Sequence, residues 1–187
     1  MAFGTEIILL IMLLFISGFF SGAEVALISL TKIRAKHMVE QKKFGASYVQ
    51  RLKDNPQRML STILIGNNVA NVAASAIATA MAISIFQNFA IGIVTGVMTL
   101  LILIFGEITP KSIATQNNEV VSQIVSAPIW YLSIILSPLL TILDKFLNRF
   151  IKLMGIKSQE KVITEEEIKS MVQTAEEEGT IKEIERR

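Results

Sequence analysis

Between Met59 and Gly106 the chain carries no charged side chain. A soluble fold leaves part of almost every element in water, so it has no use for so long an uncharged run. A bilayer requires one: roughly 20 apolar residues cross its hydrocarbon core as a helix, and a charge at the centre of a span costs roughly 2.5–3.5 kcal/mol. The rest of the composition agrees. Apolar residues make up 51% and charged residues 18%, against about a quarter charged in soluble domains, and the mean hydropathy is +0.52. Cysteine is absent, which excludes a disulfide scaffold, thiolate metal sites and thiol catalysis. The net charge of +2 is too small and too local to suggest nucleic acid as a partner. The sequence therefore predicts a polytopic, all-α integral membrane protein.

Three segments are long enough to span, at about residues 5–30, 60–86 and 89–108. The first lacks a basic leader and contains Glu24, so it reads as a retained helix and not a cleaved signal. Gln87 and Asn88 form a short turn between the second and third spans. Residues 32–58 are rich in Lys and Arg, from Lys32 and Arg34 to Arg58. The positive-inside rule places them in the cytoplasm and the N-terminus outside. Parity then puts the third span's end inside. A fourth apolar stretch, about 120–143, would carry Lys145, Arg149, Lys152 and Lys157 outside if it crossed. Pro128 and Pro138 interrupt it, and Trp130 and Tyr131 favour the headgroup level. It reads as broken helices in the inner leaflet, with juxtamembrane helices over about 32–58 and 120–153; a kinked fourth span is the alternative. Residues 1–155 form the expected transmembrane domain. Residues 156–187 form an acidic, cytoplasmic helical connector, opened by the capping box Thr164-Glu165-Glu166-Glu167 and truncated before a further domain.

The costly residues are where function is expected. Glu24 lies late in the first span, and Glu107 ends the third in Gly106-Glu107-Ile108-Thr109-Pro110-Lys111. Pro110 frees the carbonyl of Gly106 from the helical ladder, setting a bare carbonyl beside a carboxylate. The blander alternative is an interfacial Glu107 paired with Lys111. Ser17, Ser21 and Glu24 share one face of the first helix by spacing. Ser29 falls off that stripe unless the helix widens locally, for which Gly22 gives licence. Asn67, Asn68 and Asn71 crowd into five residues of the second span, with Asn67 and Asn71 one turn apart. One asparagine would serve as interhelical glue; three, beside two carboxylates and a serine row, read better as a polar cavity. Gly92 and Gly96, and the stripe Ala70, Ala74 and Ala78, permit close packing within the chain or between copies.

Such an inventory is all oxygen. It suits Mg²⁺, Ca²⁺ or Na⁺ and disfavours zinc or copper. The only aspartates are Asp54 and Asp144, both outside the spans, so an intramembrane aspartyl enzyme is not expected, and no phosphate loop or ATPase motif appears.

Three motifs, Phe20-Ser21-Gly22-Ala23-Glu24-Val25-Ala26-Leu27, Gly66-Asn67-Asn68-Val69-Ala70-Asn71 and Gly106-Glu107-Ile108-Thr109-Pro110-Lys111, together resemble the signatures of the cyclin M (CNNM)/CorC magnesium transporter family. The likeness extends to Glu177-Glu178-Gly179, similar to the acidic connector that leads into that family's cystathionine-β-synthase-type (CBS) pair. The resemblance implies a homodimer of three-span protomers in the cell membrane, with an inward-facing site for one Mg²⁺ per protomer near a distorted turn. It implies Mg²⁺ efflux, with Na⁺ as the candidate coupling ion, under ATP control exerted only through the CBS pair, which this chain lacks. Carried onto this sequence, the implied metal ligands are Ser21, Ser29, Asn67, Asn68, Asn71, Gly106 and Glu107, supported by Gly22, Glu24, Pro110 and Lys111. Ala23 stands where many relatives have serine and is assigned no ligand role. A secondary ion transporter is the expectation; a membrane-anchored Mg²⁺ sensor that regulates another transporter is the alternative.

Overall fold

The computed structural model describes residues 3–86 and 91–154, and every regular element among them is helical. Hydrocarbon favours this outcome, because a helix satisfies its own backbone groups. Helix α1 is Phe3–Ser29, α2 Lys32–Glu40, α3 Ala46–Asp54 and α4 Pro56–Phe86. Helix α5, Ile91–Leu101, runs on through a π-helical segment, Ile102–Ile108, into α6, Thr109–Gln116. Helices α7, Asn118–Ile135, and α8, Ser137–Leu153, follow. Three stretches are long and apolar enough to cross a membrane: Gly4–Ser29, Pro56–Ser84 and Gly92–Gln116. This is an all-α, multi-pass membrane protein. Two compact units divide the chain, Met1–Leu143 and Asp144–Arg187. The expected turn at Gln87 and Asn88 and the connector over 156–187 lie outside the described residues.

Local sequence explains most of the boundaries. Thr31 caps α2 by accepting from the Arg34 N–H at 3.1 Å. Asn55 does the same for α4 through the Arg58 N–H at 3.2 Å, with Pro56 pre-set for the first helical position. The third apolar helix runs on past the expected span end at 108, with Pro110 in the turn just after the π-helical segment. The expected break at Pro128 does not occur. Helix α7 passes through it, at a position exposed alongside Ile124, and so loses one backbone bond without a packing conflict. The chain turns sharply at Leu136 instead, where Pro138 sits in the first turn of α8.

Helix α1 presents Phe20, Ala23 and Leu27 at three- and four-residue spacing to an apolar cluster that Leu30, just past its end, also joins. Met59 and Ile63 of α4, Val125 and Ile129 of α7, and Ala35, Met38, Val49 and Leu52 of the two short helices complete it. A second cluster packs Ala74 and Ala78 against Met98, flanked by Leu10, Leu13 and Ile102. The alanine stripe of α4 is thus used inside the chain. Gly92 and Gly96 have nothing within 4 Å of a β-carbon built on them, so that pair faces away from the described helices. Ile8, Phe15, Val69, Val72 and Ile93 stand exposed, as a lipid-facing surface requires.

The short helices are tied to α7 by charge and by one glycine. Glu119 accepts from Arg34 Nη2 at 2.6 Å and Nε at 3.0 Å, and it also meets Lys43. The hydrogen bonds from Lys43 first, then from Arg34, hold its carboxyl below the ordinary value of 4.5. Gly45 has φ +70° and lies so close to Gln123 that a β-carbon would overlap the Gln123 carbonyl oxygen. The contact is completed by Ser126 Oγ, which donates to Gly45 O at 3.2 Å.

Gly45→Ala combines a left-handed backbone with an overlap against main chain and is expected to lower stability by about 1–3 kcal/mol in detergent unfolding. Glu119→Gln is expected to cost about 1 kcal/mol at neutral pH. Because the folded-state pKa of Glu119 is depressed, its contribution is complete above 4.5 and lost as pH falls through the lower folded value. The stability gap between the two proteins should therefore close below pH 4.5, as followed by thermal unfolding across pH.

Candidate cation site between the three spans

Contacts along α1 fix how the spans run past one another. The Phe20 ring covers Gly66, where a β-carbon would overlap it, and Ser17 reaches Asn67; rising numbers on α1 meet falling numbers on α4, so the two are antiparallel. Against the third span the order is parallel: Ser17 meets Gly106, Gly18 meets Pro110, and Glu24 meets Lys111.

At the crossing, Ser17 Oγ lies 3.1 Å from Asn67 Oδ1 and 3.4 Å from the Gly106 carbonyl oxygen. Each atom comes from a different span. Gly106 permits this approach, since a β-carbon there would come within 2.8 Å of Ser17 Oγ. The surrounding turn is π-helical, with the Thr109 N–H bonded to Ile104 O five residues back. The irregularity expected at Gly106 and Pro110 is therefore present, and the Gly106 carbonyl accepts from a neighbouring helix.

Ser17 has one hydroxyl hydrogen for two acceptors. The surplus of oxygen does not end there. Ser21 Oγ and Asn71 Oδ1 are buried with no hydrogen-bond partner. Ser21 lies one turn from Ser17, Asn71 one turn from Asn67, and in antiparallel helices those turns lead to opposite sides of the crossing. Glu107, in the π turn and half-buried, makes no ion pair or side-chain hydrogen bond among the described residues. Interhelical glue accounts for the Ser17–Asn67 bond but leaves the two buried oxygens unexplained, at about 1–3 kcal/mol each. Acceptors in excess of donors are what a cation requires. Among the described residues no cluster of three or more His, Cys, Asp or Glu occurs, so an ion here would rest on carbonyl, amide, hydroxyl and a single carboxylate.

Other predicted residues go elsewhere. Ser29 is exposed and donates to Val25 O at 2.7 Å. Helix α1 stays regular through Gly22 instead of widening, which leaves Ser29 off the stripe. Asn68 is exposed, its Nδ2 donating to Leu64 O at 2.8 Å. Lys111 does not pair with Glu107: its Nζ lies 3.3 Å from Glu24 Oε2, because that face of α6 lies against α1. Pro110 packs on Gly18 and Gly22. Ser17 is the residue that sequence reasoning left out of the ligand set, although its place one turn before Ser21 was visible.

The match to known proteins covers nearly all of this arrangement. The family model described as the cyclin M transmembrane N-terminal domain matches residues 8–185. The chain belongs to the cyclin M family. Similar proteins include a UPF0053 protein of Haemophilus influenzae, 38% identical over 91% of this chain and 41% of its own length. The UPF0053 inner membrane protein YfjD of Escherichia coli is 34% identical over 84% and 37%. A chloroplastic DUF21 domain-containing protein of Arabidopsis thaliana is 37% identical over 95% and 27%. This cyclin M domain thus spans less than half the length of these curated relatives.

The crossing can be tested by a double-mutant cycle. Gly106→Ala is expected to destabilise the domain by about 1–3 kcal/mol through overpacking, and Ser17→Ala should relieve the clash. Coupling above about 0.5 kcal/mol in detergent unfolding is the expected result; additive effects would contradict the contact.

Proposed function

We propose that this domain carries Mg²⁺ across the cell membrane, binding it at the crossing of the three spans. The observation that supports this reading most is the set of acceptor oxygens from α1, α4 and the π turn: Ser17 Oγ within reach of both Asn67 Oδ1 and Gly106 O, with Ser21 Oγ and Asn71 Oδ1 buried and unpartnered one turn to either side. Mg²⁺ takes oxygen in near-octahedral geometry and gives up water reluctantly, so protein oxygens and retained waters share its shell. Ser17, Asn67 and Gly106 supply neutral ligands, Glu107 supplies the charge, and Ser21 and Asn71, one turn to either side of the crossing, bond the retained waters. Ser29 and Asn68 have no place in this version of the site. Efflux, with an inward Na⁺ gradient as the driving force, is the direction we assign. The N-terminus is then outside and Arg34, Lys43 and Arg58 are cytoplasmic, in keeping with the positive-inside rule. The face with Gly92 and Gly96 is the one we assign to the partner in a homodimer, and ATP control belongs to CBS domains beyond this chain.

Mg²⁺ should raise the unfolding midpoint of the purified protein, by an amount equivalent to about 2.7 kcal/mol at 100 times its Kd. Glu107→Ala and Asn71→Ala should each abolish that rise. In proteoliposomes the unaltered protein should move Mg²⁺ unaided. Full Mg²⁺ stabilisation without any flux would favour a membrane-anchored sensor, and unchanged binding in both variants would remove the site.

A further inference from the structure

Away from the span crossing, the structure holds a cavity of about 240 Å³ where α3, α4 and α7 meet the start of α8. Its polar wall is Arg51, Asn55, Arg58, Ser133 and Ser137, with Trp130 beside them. Two guanidinium groups line it, and no carboxylate does. Arg58 Nη2 donates to Ser137 Oγ, while Arg58 Nε is buried and has no hydrogen-bond partner. The Arg51 guanidinium carbon lies 5.1 Å from the Trp130 ring centre, which holds that cation at the rim. A guanidinium taken out of water without an anion is expensive, and its planar fork matches phosphate oxygens.

Position in the chain gives the source of the phosphate. Arg58 is the last charged residue before the run that begins at Met59, so the cavity lies at the boundary between hydrocarbon and headgroups. Trp130 and Tyr131 are residues of that same level. Leu52, Met59 and Ile134 form its apolar wall, suited to a glycerol backbone. The volume is below the roughly 300–1,000 Å³ that encloses a drug-sized molecule, enough for a headgroup whose acyl chains remain in the bilayer. We infer that this cavity binds the phosphate of an anionic phospholipid headgroup.

The test uses the whole purified chain in neutral detergent, with lipid retention read by native mass spectrometry and unfolding midpoints read in parallel. Phosphatidylglycerol, phosphatidylcholine and inorganic phosphate are the probes. Phosphatidylglycerol should be retained and should raise the midpoint, with phosphatidylcholine weaker by about tenfold. Arg58→Gln should weaken phosphatidylglycerol binding by about tenfold, as loss of a charged hydrogen bond does. Since that change also removes the bond to Ser137, the exposed Arg51→Gln serves as the second variant and should weaken binding with folding intact. Lys36→Gln removes an exposed charge elsewhere and should change binding by less than about twofold. Equal retention of phosphatidylcholine, or a Lys36→Gln effect as large as that of Arg51→Gln, would overturn the proposal. A midpoint rise with inorganic phosphate equal to that with phosphatidylglycerol, lost in Arg51→Gln, would overturn the lipid as source and assign the site to free phosphate.

Discussion

Three apolar helices can meet at a polar point only if one of them gives up its side chain there. Gly106 does so. Its bare α-carbon lets Ser17 come close enough to touch both the Gly106 carbonyl and Asn67, and a methyl group would push Ser17 away. The π turn around Gly106 and Glu107 has a separate origin: Pro110 follows with no N–H to give the ladder, and the helix changes register there. The remaining site residues depend on this contact. It sets which turn of α4 faces α1, and therefore that Asn71 and Ser21 are buried rather than turned to lipid.

The polar layer lies between two apolar ones. Along α1 the order is Leu10 and Leu13, then Ser17, then Phe20, Ala23 and Leu27; along α4 it is Ile63, then Asn67 and Asn71, then Ala74 and Ala78. Unpaired oxygens in that position are costly in the absence of a ligand. An ion that satisfies them stabilises the packed state of all three helices together. Binding at such a layer is thereby linked to helix packing, the coupling that alternating access needs.

Much of this was legible in the residues. The uncharged run from Met59 to Gly106 dictates spans, and Lys and Arg in residues 32–58 mark the interfacial helices. The asparagines of α4 and the Gly-Glu-Ile-Thr-Pro sequence after Phe105 mark the costly polar groups. What could not be read was tertiary. Ser17 looks like any serine in a span until Gly106 is seen beside it. Lys111 has Glu107 one turn away in sequence and Glu24 across the helix pair; only the parallel packing of α1 and α6 decides for Glu24. Ser29 and Asn68 sit within the right motifs, yet helix phase turns them outward. Pro128 carries a breaker's signature, and exposure lets α7 continue through it. The arginine cavity has no signature in the sequence, because its residues are spread along the chain from Arg51 to Ser137 with no common spacing.

The proposed site holds a hard cation by oxygens from three different spans. Crystals grown with Mn²⁺ in place of Mg²⁺ test it most directly, because Mn²⁺ has a similar preference for oxygen and can be located by anomalous scattering. The expected result is an anomalous peak within about 2–2.5 Å of oxygens from Asn67, Gly106 or Glu107 and from α1. A peak confined to surface carboxylates such as Glu40 or Asp54, with Ser17, Asn67 and Gly106 still in contact and no metal among them, would contradict it.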